Sequence, residues 1–133
     1  MQDIFDTPTE SIFFEDNILY VALAYDSLAK GHSVIVWKDK VEDLNSLKSN
    51  DYEYLMDVVS VARETLKEYY GVEEVYLMYL DEIRQVHWHF IPRYNEKGFN
   101  VLNHAPKKLT NFDDAVNLQE IFKKNHYKMM VEN

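Results

Sequence analysis

The chain has 133 residues, the length of one domain, and its 47% hydrophobic and 28% charged residues are the composition of a globular protein, not of a disordered one. It contains no cysteine, which excludes disulfides, thiolate nucleophiles and cysteine-ligated zinc and leaves His, Asp and Glu as metal-ligating residues. A formal net charge of −9 argues against nucleic acid as a partner, since a polyanion is held by many Lys and Arg, but leaves room for a small anionic substrate at a locally positive site.

No stretch reaches the roughly 20 apolar residues of a membrane-spanning helix, and the acidic start Met1–Asp6 lacks the basic flank of a signal peptide. No membrane partner and a cytoplasmic location are therefore expected. In chain order, Ser11–Tyr25 reads as two apolar strands around a Glu15-Asp16-Asn17 turn, a hairpin. Asp26–Gly31 interrupts the pattern, and His32–Trp37 returns to β-branched and aromatic residues as a third strand. Leu55, Val58, Val59, Ala62, Leu66 and Tyr69 recur at spacings of three and four, which predicts a long helix capped by Ser49 or Asn50 and ended by Gly71. Glu74–Leu80 and Ile83–Arg93 follow as two paired central strands joined through Asp81-Glu82. Asn103–Pro106 is a loop, and Asp113–Lys124 is a second helix with Ala115, Leu118, Phe122 and Ile121 on its apolar face. The whole chain, 1–133, reads as one domain.

The chemistry concentrates in Gln85-Val86-His87-Trp88-His89-Phe90-Ile91. Side chains alternate along a strand, so Gln85, His87 and His89 share one face and Val86, Trp88 and Phe90 the other. Two imidazoles two residues apart lie about 7 Å from each other along the chain, close enough to act on one phosphate or bind one metal.

Gln85–Arg93, QVHWHFIPR, closely resembles the signature strand of histidine triad (HIT) proteins, and the resemblance extends over about 12–93. It includes the Glu15-Asp16 turn, the Gly31-His32 step before a Val-Ile-Val strand, Val41-Glu42-Asp43-Leu44 and the long helix, with 94–133 divergent. It implies an α+β fold with a five-stranded antiparallel sheet, a long helix and a C-terminal helix, and a homodimer. It further implies that His87, at the middle triad position, attacks the α-phosphorus of a nucleotide to give a nucleotidyl-histidine that water hydrolyses. His89, His32 and Gln85 would surround the phosphate. The implied substrates are nucleoside phosphoramidates, dinucleoside polyphosphates or nucleotidyl conjugates, with no cofactor.

Several positions depart from that pattern. Gln85 replaces the first histidine, so an amide stands where an imidazole does in the family. The stretch between Tyr79 and Gln85 is short and lacks the phosphate-contacting Gly-Gln and Ser/Thr; Glu82 or Arg84 occupies it, the first repelling phosphate and the second able to pair with it. The ribose-binding Asp falls on Ala24; Asp26 either takes over nucleoside binding, if the strand continues that far, or is a turn residue. Without Cys, and with Lys40 where a zinc-binding His often falls, no structural metal is expected. His104 and His126 are expected at the surface, and Tyr52, Tyr54, Tyr69 and Tyr70 are read as packing or interface residues, not as a base-stacking platform. Two alternatives remain: a nucleotide-binding or interaction module that keeps the fold with little catalysis, and a metal protein using His87, His89 and His32.

Overall fold

The computed structural model describes residues 5–95 and 98–132. The chain forms β1 (Ile12–Glu15), β2 (Leu19–Leu23), a short β3 (Asp26–Ser27), β4 (Ser33–Trp37), α1 (Ser49–Tyr70), β5 (Glu74–Met78), β6 (His87–Arg93), a short β7 (Lys107–Lys108) and α2 (Asp114–Glu132). Five strands make an antiparallel sheet in the order β1-β2-β4-β6-β5, and β3 pairs with β7 as a separate ribbon. The α+β architecture expected from the sequence is therefore present.

The β1–β2 hairpin turns on Asp16, whose carboxylate accepts from the main-chain N–H groups of Ile18 and Leu19 at 2.8 and 2.9 Å. Burial alone would raise the Asp16 carboxyl. The Tyr54 hydroxyl, these two amides and Lys38 outweigh burial and hold it below the usual carboxylate range. Tyr54 thereby ties α1 to the hairpin, and burial together with Asp16 pushes its own hydroxyl up.

Helix α1 is amphipathic in two directions. Leu55, Val58, Val59, Ala62 and Leu66 are buried in the core that includes Leu19, Val21, Ile35, Trp37 and Phe90 of the sheet. Burying each large aliphatic side chain stabilises the fold by roughly 1.5–3 kcal/mol. Val61 and Thr65 form a second buried row, with the Thr65 hydroxyl accepting from Asn125 of α2. The helix ends at Gly71 in the left-handed conformation, φ 66°, as expected. Its start differs from expectation. Ser49 is the first helical residue, the cap is Lys48, and no side chain caps the first turn. The carboxylate of Asp114, in the first turn of α2, accepts from Tyr69 and Tyr70 at 2.9 Å each and clamps the end of α1 to α2.

Two strands also differ from expectation. β5 is an edge strand, since β6 alone lies between β4 and β5, and residues 79–86 form a loop, because bends at 82–85 break the ladder before His87. Helix α2 runs to Glu132, beyond the Lys124 expected, its Ala115, Leu118 and Phe122 buried. Among the described residues no helix is long and apolar enough to cross a membrane.

Candidate functional site

Strand β6 is central, and its register against β4 pairs Val36 with His87 and Val34 with His89. Both imidazoles therefore lie on the face away from the helices, beside the small cluster of Tyr20, Ala22, Ala24, Val34 and Val36, while Trp88 and Phe90 join the helix-side core. The alternation read from the sequence holds from His87 to Phe90.

His87 is 2% exposed. Its Nδ1 lies 2.8 Å from the main-chain carbonyl of Gln85, an acceptor only, so Nδ1 carries the hydrogen and Nε2 the free lone pair. Phe5 packs on this ring at 5.0 Å between centroids, with His89 at 5.1 Å and Tyr79 at 6.3 Å.

His32 and His89 form a chain with one consistent protonation pattern. The main-chain N–H of Leu28 donates to His32 Nδ1 at 3.0 Å, so that nitrogen is bare and the ring hydrogen sits on Nε2. His32 Nε2–H then donates to His89 Nδ1, 3.0 Å away, which places the His89 hydrogen on Nε2. His89 Nε2 is buried without a hydrogen-bond partner. Desolvation lowers His32 to about 3, helped by His89, and lowers His89 to about 4, helped by His87. Both rings are neutral at pH 7, as this pattern requires.

Gly31 makes this possible. Its φ of +86° suits glycine, and a Cβ there would lie 2.4 Å from Cε2 of the Tyr70 ring. The Gly-His step thus lets β4 begin directly beneath the end of α1. His104, expected at the surface, is half-buried, and its Nδ1–H donates to the Leu28 carbonyl at 2.8 Å. It braces the residue whose N–H orients His32. His126 is also half-buried, against Phe14 and Phe122. The sequence signal for both was weak, because the partner of His104, Leu28, and one partner of His126, Phe14, lie far away along the chain.

Gln85 lies outside β6 and is 4% exposed, and its amide nitrogen donates to the carbonyls of Trp37 and Asp39, the latter at 2.7 Å. Both hydrogens of that NH2 are committed to the end of β4, where they close the loop onto the sheet. Asp26 does not continue β2. It begins the ribbon with Lys108, whose ammonium is 3.7 Å from its carboxylate, yet it lines a cavity of about 190 Å³ with Phe5, Pro8, Ala24, Val34 and His89.

Of the two residues in the shortened loop, Glu82 reaches the histidines. A carboxylate oxygen of Glu82 and one ring nitrogen each of His87 and His89 all lie within 4.8 Å of one another. Arg84 points outward, 82% exposed, 3.8 Å from Glu42. The three groups are close enough to surround a metal ion, but His89 offers no bare nitrogen to it, since Nε2 carries the hydrogen and Nδ1 is occupied by His32. His32 likewise has both nitrogens engaged, which disfavours the metal alternative read from the sequence.

The family model described as HIT domain matches residues 7–96. Among solved structures, a hypothetical histidine triad nucleotide-binding protein from Sulfolobus tokodaii is 18% identical with a TM-score of 0.68, over 90% of this chain and 85% of that one. A diadenosine triphosphate hydrolase from Plasmodium falciparum, in complex with Cyclomarin A, is 13% identical with a TM-score of 0.73, over 91% and 82%. A zinc-bound histidine triad family protein from Mycobacterium smegmatis is 16% identical with a TM-score of 0.70, over 90% and 87%. No curated protein matches the sequence at a significant level.

Proposed function

The chain belongs to the HIT family, and from that premise we propose that it transfers or hydrolyses the nucleotidyl group of a nucleoside phosphoramidate, dinucleoside polyphosphate or nucleotidyl conjugate, with His87 as nucleophile. The observation that carries this reading is the Nδ1–H of His87 bound to the Gln85 carbonyl, which leaves Nε2 as the ring nitrogen that can attack.

In the first step the Nε2 lone pair forms a bond to the α-phosphorus. The bond from phosphorus to the leaving group breaks, and its electron pair departs with that group, which takes up a proton. The imidazole of the nucleotidyl-histidine carries a positive charge, and the Gln85 carbonyl accepting from Nδ1–H stabilises it. Water then attacks phosphorus and releases a proton to solvent, which balances the one the leaving group took up, while the P–N bond breaks and its electron pair returns to Nε2. His89 Nε2–H, oriented by the chain through His32 to Leu28, is the donor to a phosphate oxygen. A preorganised donor of this kind is worth roughly 2.7–4 kcal/mol when it meets developing charge.

Gln85 serves this site as a brace, its carbonyl orienting His87 and its amide holding the end of β4, in place of the phosphate contact expected from its triad position. The cavity lined by Phe5, Ala24, Asp26 and Val34 is the place proposed for the nucleoside, with the Asp26 carboxylate as the acceptor offered to its ribose.

The experiment is to incubate the protein with a panel of nucleoside phosphoramidates and dinucleoside polyphosphates and to measure its intact mass. We expect a nucleotide adduct that disappears in His87→Asn, whose amide is a poor nucleophile, while ligand binding persists. Wild-type turnover by His87→Asn would overturn the mechanism. One observation favours a second reading, a nucleotide-binding module with little turnover: the Phe5 ring packs directly on His87. Tight nucleotide binding without adduct or product from any substrate would establish that reading instead.

A further inference from the structure

The loop between β3 and β4 carries four consecutive carbonyls, those of Leu28 to Gly31, and each is held by a donor. Ala29 accepts from the Ser27 hydroxyl at 2.6 Å and from the His32 N–H at 3.0 Å, Lys30 from the Tyr94 hydroxyl at 2.7 Å, and Gly31 from the Ser33 hydroxyl at 2.9 Å. The Leu28 carbonyl accepts from Nδ1–H of His104 at 2.8 Å, across 76 residues of sequence. Leu28 is also the residue whose own N–H sets the hydrogen of His32, and through His32 that of His89. His104 arrives there on a stretch of chain outside the residues matched by the family model, 7–96. Its main-chain N–H donates to the carbonyl of Val101, a residue 1% exposed, and a few residues later Lys107 pairs with Ser27 in the β3–β7 ribbon. The imidazole is thus fixed from both sides, by a buried anchor before it and a strand pairing after it.

We propose that His104 is a positioning residue for the phosphate donor: by holding Leu28 it fixes the tautomer of His32 and of His89, and so keeps the His89 hydrogen on Nε2, the nitrogen left without a protein partner. The inference rests on the nucleotidyl-transfer reading and adds a residue to its machinery. A neutral imidazole carries its hydrogen on either nitrogen, and its hydrogen-bond partners decide which. With the Leu28 N–H aimed at Nδ1, the His32 hydrogen sits on Nε2, and His89 Nδ1 accepts it. If Leu28 turns away, His32 Nδ1 loses its donor, and because His32 is 4% exposed, water does not replace it. Both rings are then free to move their hydrogens. A His89 with a bare Nε2 presents a lone pair to a phosphate oxygen in place of a hydrogen. The carbonyls of Ala29, Lys30 and Gly31 keep their donors when the His104 hydrogen is removed, so the loop stays in place and the loss falls on Leu28 and the two rings it orients.

The test uses two variants that separate the hydrogen of His104 from its ring. His104→Phe keeps an aromatic ring and removes the donor, whereas His104→Asn loses the ring but places an amide N–H where Nδ1–H stood. Two-bond proton–nitrogen correlation spectra of the histidine rings at pH 7 should show His32 and His89 each with Nε2 protonated and Nδ1 bare, in the wild type and in His104→Asn alike. In His104→Phe the signals of both rings should move toward a mixture of tautomers. With a nucleoside phosphoramidate, His104→Phe should lower kcat by about tenfold, less than the roughly hundred- to thousandfold loss of a whole donor, with KM held within about twofold. His104→Asn should recover most of that rate. A role in packing alone predicts the reverse order, with Phe tolerated and Asn not. Wild-type ring signals or an undiminished kcat in His104→Phe, or a rate lost equally in both variants, would overturn the inference. Absence of adduct and product from the wild type with every substrate would overturn the nucleotidyl-transfer reading, and the ring signals would then decide the role of His104 by themselves.

Discussion

Acid should loosen this protein through two histidines. His32 and His89 are held neutral, at about 3 and about 4, against an ordinary value of 6.5 in the unfolded chain. Above pH 6.5 both are neutral in either state and contribute no pH dependence. As pH falls below 6.5 the unfolded chain takes up protons that the folded chain refuses, so stability falls, and the fall ends only when each folded ring titrates in its turn. The slope approaches about 1.4 kcal/mol per pH unit for each ring. Between pH 6.5 and 4 that amounts to on the order of 3 kcal/mol per ring, a large part of the roughly 5–15 kcal/mol that holds a domain together. The discriminating variant is His32→Gln, whose amide accepts from Leu28 N–H and donates to His89 Nδ1 yet does not titrate. Urea denaturation from pH 7 to 4.5, above the range in which Asp16 contributes, should give a slope for His32→Gln about half that of the wild type. Equal slopes would refute the argument that the buried neutral pair, and not the protein at large, sets the acid limit.

Three further outcomes are expected. Gly31→Ala should cost about 1–3 kcal/mol for its left-handed backbone, and more because the new Cβ displaces the Tyr70 ring from Asp114; a thermal midpoint within a degree of wild type would contradict this. Gln85→Ala should leave the carbonyls of Trp37 and Asp39 without their donor and destabilise by roughly 1–3 kcal/mol, whereas Gln85→His, which recovers only part of that bracing, should fall between; equal stability of all three by urea titration would remove Gln85 from its bracing role. Light scattering at micromolar concentration should give a dimer mass, since β5 presents an open sheet edge with Leu77 exposed, and a monomer mass would count against the expected homodimer.

Local pattern determined the elements and the identity of the central histidines. The spacing of Leu55, Val58, Val59, Ala62 and Leu66 is a property of one segment, so α1 was legible almost to the residue, and Gly71 marked its end because few other residues adopt that backbone. The alternation in His87–Phe90 likewise separated the two faces of β6 without knowledge of its neighbours. Long-range pairing was not legible, and most of the remainder depends on it. β5 became an edge strand because β4, over thirty residues earlier, occupies the other side of β6. Gln85 shares the triad's spacing but not its role, because the loop before β6 turns its amide onto the carbonyls of Trp37 and Asp39. The protonation pattern of His32 and His89 rests on a main-chain N–H at Leu28 and a ring brought 57 residues across the sequence, and no local pattern encodes a hydrogen placed by such a chain. Glu82 and Phe5 reach the site for the same reason: side chains acquire neighbours only when the sheet closes, and the charge and cover around His87 are properties of that closure.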